Sequence, residues 1–206
     1  MGIGDQAEER AEGQTGSPPP VRRLRRAERR AQILDAATRA FARAGFAATS
    51  LDDVAAEAEI TRVMLYRHFD SKADMYRAVL DRACARLAET VGTGDFDDDA
   101  IPALVGAAAT DPDAFRLLFR YAAREPEFRE LIDTLTAAAE EIARRGLATR
   151  IPDGPWMDWA ARLIPAITIE AVIAWLDAGQ PDPDRAAERI RLTVNGTIQA
   201  AHPLTS

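Results

Sequence analysis

Between Ser50 and Asp74 the chain marks three helix starts in quick succession, each with residues that satisfy free backbone N–H groups. Ser50-Leu51-Asp52-Asp53 has the capping-box pattern, in which a hydroxyl and a carboxylate three residues apart close on each other's backbone. Thr61 stands before a second start, with Ile60 and Leu65 placed as a hydrophobic staple around it. Ser71-Lys72-Ala73-Asp74 repeats the box. Starts this close leave room only for two short helices and the beginning of a longer one. Leu51, Val54 and Ala58 make the apolar stripe of the first, Leu65 and Phe69 that of the second over 62–69.

A longer helix precedes them from about Ala27. Ile33, Ala37 and Phe41 recur every four residues with Leu34 and Ala40 beside them, so one face looks inward. Gly45 falls where a left-handed residue commonly ends a helix, and Phe46 is placed to fold back onto Phe41. A tight turn at Ala58-Glu59-Ile60 joins the two short helices, and the three together read as a helix-turn-helix unit. With Leu65 and Phe69 facing the core and about 100° per residue, Val63 and Arg67 point directly outward. Arg62 and Tyr66 flank them on one side, Met64 and His68 on the other.

Beyond this unit the pattern stays helical. Segments are expected from Ser71 to about Thr90, Ala100 to Ala109, Asp111 to Ala123, Pro126 to Ala148, Pro155 to Ala178 and Asp184 to Ala201, with a loop over Gly92 to Asp99. No strand pattern or internal repeat competes. The fold class is all-α: a three-helix head followed by a body of roughly six helices. The expected organisation is a disordered tail over 1–21, a head over 22–70 and a body over 71–206.

The net charge of −7 looks unsuited to a polyanionic partner until it is divided along the chain. Residues 1–20 carry −3, residues 21–90 carry +4 from fourteen basic against ten acidic side chains, and residues 91–206 carry −8. Phosphate attraction acts over ~10 Å at 0.1 M salt, so the local basic segment decides. The run Arg22, Arg23, Arg25 and Arg26 reads equally as a solvated approach to the helix or as a basic arm reaching a minor groove or phosphates.

Other function classes find little support. One cysteine, Cys84, excludes an internal disulfide and any multi-cysteine metal site. His68 and His202 are far apart, and no metalloprotease, P-loop or nucleophile-elbow motif occurs, so neither an enzyme nor a cofactor is expected. Asp97-Asp98-Asp99 is an acid run without further spaced ligands. The most apolar stretch, Leu163 to Leu176, is broken by Pro165 and Glu170, so no membrane span is expected. The N-terminus lacks a hydrophobic export segment, which places the chain in the cytoplasm.

From Ala44-Gly45-Phe46, through Thr49-Ser50-Leu51-Asp52-Asp53-Val54-Ala55, to Leu65-Tyr66-Arg67-His68-Phe69-Asp70-Ser71-Lys72, the order of residues resembles the DNA-binding domain of the TetR family. The match covers about fifty residues, and the rest agrees in architecture alone. The resemblance implies a regulator that binds a double-stranded palindromic operator as a homodimer, most simply a repressor released by a small-molecule effector. A regulator that activates or answers to a partner protein, and a helical binding or enzymatic protein with a head of similar shape, are the alternatives. Thr49, Tyr66 and His68 are the phosphate contacts the resemblance implies. Lys72 lies at the first position of a helix, where the dipole favours an anion. Thr61, Arg62, Val63, Met64 and Arg67 complete the expected DNA-binding set, with Arg62, Met64 and Arg67 best placed for base edges.

Two positions depart from the family pattern. Glu59 stands where glycine is common, and a left-handed backbone there costs about 1 kcal/mol. Val63 replaces a small residue and bears on base preference through a thymine methyl. In the body the resemblance implies a ligand cavity, for which Phe115, Phe119, Leu135, Trp159, Leu163 and Ile167 are candidates beside simple core packing. It also implies a dimer interface from the last two helices, with Val172, Ile173, Leu192, Val194 and Ile198 as candidates.

Overall fold

Each of the three start signals opens a helix in the computed structural model, which describes residues 25–92 and 99–202. Helix α1 (Arg26–Ala48) carries the expected stripe, with Ile33, Leu34, Ala37, Ala40 and Phe41 buried. Gly45 does adopt a positive φ of 78°, but it kinks α1 instead of ending it, and Phe46 packs 6.2 Å from Phe41 between ring centroids. Helix α2 (Leu51–Glu57) starts at the Ser50 box, whose side chain accepts from the Asp53 N–H while Asp53 accepts from the Ser50 N–H. Helix α3 (Arg62–Tyr66) is capped by Thr61 and is shorter than expected, since Arg67 and His68 form a closing turn.

Helix α4 (Lys72–Val91) starts at Ser71, which accepts from the Asp74 N–H. The box differs in detail, because the Asp74 carboxylate accepts from the Asp70 N–H at 3.1 Å. Helices α5 (Ala100–Thr110) and α6 (Pro112–Arg116) follow. The segment expected to continue to Ala123 instead widens into a π-turn over Leu117–Tyr121 and tightens into 3₁₀ turns over Ala122–Arg124 and Pro126–Phe128. Then come α7 (Arg129–Leu147), α8 (Pro155–Asp177) and α9 (Pro183–Ala200). The fold is all-α, with nine α-helices and no strand among the described residues. The tail expected over 1–21, Arg22 and Arg23, and most of the Gly92 to Asp99 loop lie outside the described residues.

Two hydrophobic clusters hold the chain together. The first joins α1, α2 and α3 to Met75, Tyr76, Val79 and Leu80 of α4, and extends to Leu117, Leu118, Ala122 and Phe128. Packing therefore does not break at Asp70. An aromatic nest shows the join: Tyr76 lies 4.9 Å from Phe41 and 4.7 Å from Phe128 between ring centroids. Arg82 of α4 adds a polar tie to α1, meeting Asp35 at 2.8 Å and Thr38 at 3.2 Å. The second cluster fills the body between α5, α8 and α9.

The α8 helix bears on the expectation that no segment spans a membrane. It is long and apolar enough by length and composition to cross a membrane. Its Met157, Ala160, Ile164, Val172 and Ile173 are nevertheless buried within the second cluster, the packing of a core helix.

Candidate nucleic-acid interface

The head presents α3 with its core face shut and its other side exposed. Leu65 and Phe69 are buried, while Val63 is 67% and Tyr66 48% exposed. Arg62 and Arg67 are exposed beside them, and Met64 and His68 are half-buried. Thr61 is exposed and fixes the start of the helix by accepting from the Met64 N–H. The turn before it works through Glu59, which has a φ of 54°, so the left-handed backbone usually given to glycine is carried by a glutamate.

Helix α2, which packs against α3 across the turn, is tied to α1. Arg39 and Arg43 of α1 both meet the Glu57 carboxylate, at 2.7 and 2.6 Å, and the hydrogen bonds from Arg39 and then Arg43 hold that carboxyl below its ordinary value. Gln32 reaches across to the Ala58 carbonyl at 3.2 Å. A recognition surface needs such bracing, because base and phosphate contacts must be made together.

Arg62 is held by two neighbours. Its Nη1 donates to Asp52 of α2 at 3.1 Å and its Nη2 to the Tyr66 hydroxyl at 3.2 Å. Asp52 was not anticipated from the sequence, since a contact ten residues away across a turn leaves no local pattern. At the other end of α3, burial, then the charges of Arg26, Arg30 and Arg29, holds the His68 imidazole below its ordinary value. The first turns of α1 therefore bring basic charge to the closing turn of α3. Arg30 lies over the Phe69 ring at 4.5 Å from its centroid.

Two expected phosphate contacts are placed differently. Thr49 is buried, and its hydroxyl donates to the Gly45 carbonyl at 2.7 Å, so it ties off the α1 kink and does not face outward. Lys72 turns its ammonium back onto the carbonyls of Phe46, Ala47 and Thr49, at 2.8, 3.3 and 3.1 Å, and over the Phe46 ring. Its charge thus fastens the end of α1 to the start of α4.

In the body, an apolar cavity of about 250 Å³ opens between α4, α5, α7 and α8. Cys84, Leu87, Leu104, Phe119, Leu135 and Ile169 are among its walls, and no charged side chain lines it among the described residues. Burial pushes the Cys84 thiol above its ordinary value. Two of the expected ligand residues, Phe119 and Leu135, are in this wall. Phe115 borders a neighbouring cavity of about 410 Å³ that shares Leu87 and Phe119.

Trp159, Leu163 and Ile167 do not line the apolar cavity, because α8 turns Pro165, Thr168 and Ile169 to it instead. Trp159 is 38% exposed and lies against the exposed Trp156, with 5.6 Å between ring centroids. The expected dimer residues divide similarly. Val172, Ile173, Val194 and Ile198 are buried in the chain's own second cluster, and only Leu192, 67% exposed, faces outward.

Comparison with known proteins places these features. A family model described as bacterial regulatory proteins, tetR family, matches residues 33–79. The HTH-type transcriptional activator FasR of Mycolicibacterium smegmatis is 32% identical over 193 residues, 87% of this chain and 84% of its own. A TetR-like transcriptional regulator from Rhodococcus sp. RHA1 shares the fold with a TM-score of 0.73 at 24% identity, over 84% of this chain and 96% of that one. FadR from Bacillus subtilis, solved in complex with stearoyl-CoA, shares it with a TM-score of 0.59 at 17% identity, over 83% and 96%.

Proposed function

Because the chain belongs to the TetR family of bacterial regulatory proteins, and is a DNA-binding transcriptional regulator, we propose that it works as a homodimer on a palindromic operator under control of an apolar effector. It acts by binding, not by catalysis, and works where the chromosome lies, in the cytoplasm. The head grips DNA through the exposed face of α3. Tyr66, Arg67 and His68 meet phosphates and the groove, and Thr61 and Met64 border them. A single five-residue recognition helix reads few base pairs, so a two-fold partner is needed to double the contacts. Leu192 of α9, with Trp159, Leu163 and Ile167 on the less buried side of α8, supplies the apolar surface for that partner.

One observation carries the effector reading: Phe119 lines the apolar cavity and packs against both hydrophobic clusters. The adjoining Leu117 and Leu118 are buried in the head's cluster, and Arg116 and Arg120 are tied to Asp177 at the end of α8. An occupant that moves Phe119 or the α4 wall therefore acts on the seat of the head. Occupancy shifts the population between head spacings that do and do not fit the operator. The apolar side chains that the described residues bring to the cavity wall favour an aliphatic or aromatic ligand, and the stearoyl-CoA held by FadR is in keeping with an acyl chain.

Release of a repressor is the first reading of the output. Activation is the second, favoured by the name of FasR, a relative matched along most of the chain. A gel shift on DNA from beside its own gene, followed by a ligand screen, tests the scheme. Tyr66→Ala with Arg67→Ala is expected to abolish the shift, and Leu104→Trp, which fills the cavity, to keep DNA binding while abolishing the ligand response. DNA binding indifferent to the first pair overturns the α3 interface. A ligand response that survives Leu104→Trp overturns the cavity reading, and transcription assays with the operator give the sign.

A further inference from the structure

We propose that Arg62 and Val63 are the base-reading pair of α3, Val63 against the C5-methyl of a thymine and Arg62, held by Asp52, against a guanine nearby. This rests on the DNA-binding reading and deepens it, assigning which side chains give sequence preference and which only grip.

Val63 is 67% exposed on a face whose neighbours Arg62, Tyr66 and Arg67 are all polar-tipped. Among the described residues no packing contact accounts for an apolar side chain there. A β-branched side chain in a helix keeps essentially one χ1 rotamer, so its two methyl groups are presented in a fixed place. The thymine methyl is the one apolar group on the floor of the major groove, and contact between the two removes apolar surface from water.

Arg62 differs from its neighbour Arg67 in being braced. Asp52 holds Nη1, the Tyr66 hydroxyl holds Nη2, and the guanidinium carbon lies 5.7 Å from the Tyr66 ring centroid. Asp52 offsets the charge of Arg62, which weakens it as a phosphate clamp. The same brace fixes the plane of the guanidinium, which two parallel hydrogen bonds to guanine O6 and N7 require. Tyr66, accepting from Arg62, keeps its own O–H to donate to a phosphate.

Enrichment of a randomised duplex pool by the full chain gives the half-site, and uracil then replaces each thymine in turn. This removes the methyl and leaves pairing unchanged. At one position per half-site the wild-type chain is expected to lose about fourfold in affinity, the worth of one buried methyl group. Val63→Ala is expected to bind the thymine and uracil duplexes equally. Arg62→Ala is expected to lower preference at one guanine by about tenfold or more, and Asp52→Ala to lower it in part while binding to other sequences holds. The three side chains are exposed, so unchanged melting is expected in each variant. Discrimination that persists in Val63→Ala, or is missing from the wild type, overturns the role of Val63. An unaltered guanine preference in Arg62→Ala overturns that of Arg62. A pool that yields no enriched sequence overturns sequence reading altogether, and a chain that retains no duplex at all overturns the DNA-binding reading beneath it.

Discussion

The head and the body of this chain each hold an apolar cluster and differ in what lies beside it. In the head, short helices are fixed by caps and crossed polar ties: Ser50 to Asp53, Glu57 to Arg39 and Arg43, Gln32 to the Ala58 carbonyl, Lys72 to three carbonyls of the α1 end. In the body, α5, α8 and α9 meet through apolar faces, and the walls of α4, α5, α7 and α8 leave a cavity. The difference matches what each must do. A surface that meets a rigid duplex needs its side chains placed before contact, whereas a chamber for an effector needs walls that adapt. The π-turn and the 3₁₀ turns that follow it lie at the meeting of the two, with Phe119 touching both clusters. π-turns inside helices are rare and gather at functional sites.

Four substitutions probe this contrast, from the strongest expected effect down. Phe128 follows the body's first helices in sequence but is fully buried in the head's cluster. Phe128→Ala is expected to destabilise the chain by about 3–5 kcal/mol, with DNA binding lost at the same denaturant concentration as helicity. A head that keeps binding DNA after the body has unfolded would break the picture of a shared core. Lys72→Met keeps the side-chain length and removes three hydrogen bonds to carbonyls, for an expected loss of about 1–2 kcal/mol, read by thermal melting without DNA. If stability is unchanged and only DNA affinity falls, Lys72 is a phosphate contact after all.

Glu59→Gly sharpens the comparison from the other direction. Relief of the left-handed backbone at φ 54° outweighs the added freedom of the unfolded chain, and stability should rise by about 0.5–1 kcal/mol. A fall in melting temperature would mean that the glutamate side chain holds the turn. The smallest effect is on pH. The folded chain holds the His68 imidazole below its ordinary value, chiefly by burial. The unfolded chain therefore binds the proton more readily, and stability is full above the ordinary histidine value of about 6.5 and declines as pH falls through it. His68→Gln should flatten that part of the curve, and an identical decline in the variant would assign it to other groups.

What the sequence disclosed follows the range of the forces involved. The caps at Ser50, Thr61 and Ser71 were legible because a cap is made within three or four residues of itself. The strain at Glu59 was legible because a turn type dictates a backbone sign. The anchoring of Lys72 was not, since its carbonyl partners lie more than twenty residues upstream. Burial of Thr49 escaped for a similar reason, as the kink at Gly45 brings the carbonyl to it. In α8 the apolar residues go nearly all round, so their spacing does not say which of them face the cavity. Trp159, Leu163 and Ile167 were expected there, and the helix turns Pro165, Thr168 and Ile169 to it. An apolar stripe also carries no mark of whose core it belongs to. That is why Val172, Ile173, Val194 and Ile198 read as partner-facing and are enclosed by their own chain.

The lone thiol has a practical consequence. Cys84 is the chain's one cysteine and forms part of the apolar cavity wall. With its thiol pushed up by burial, it stays largely protonated at neutral pH and reacts slowly with alkylating reagents. An occupant seated against the α4 wall is expected to cover it further. The native protein therefore carries its own occupancy gauge: the rate at which a small neutral alkylating reagent consumes this single sulfur, followed by mass, counts empty chambers without a label, a mutation or DNA.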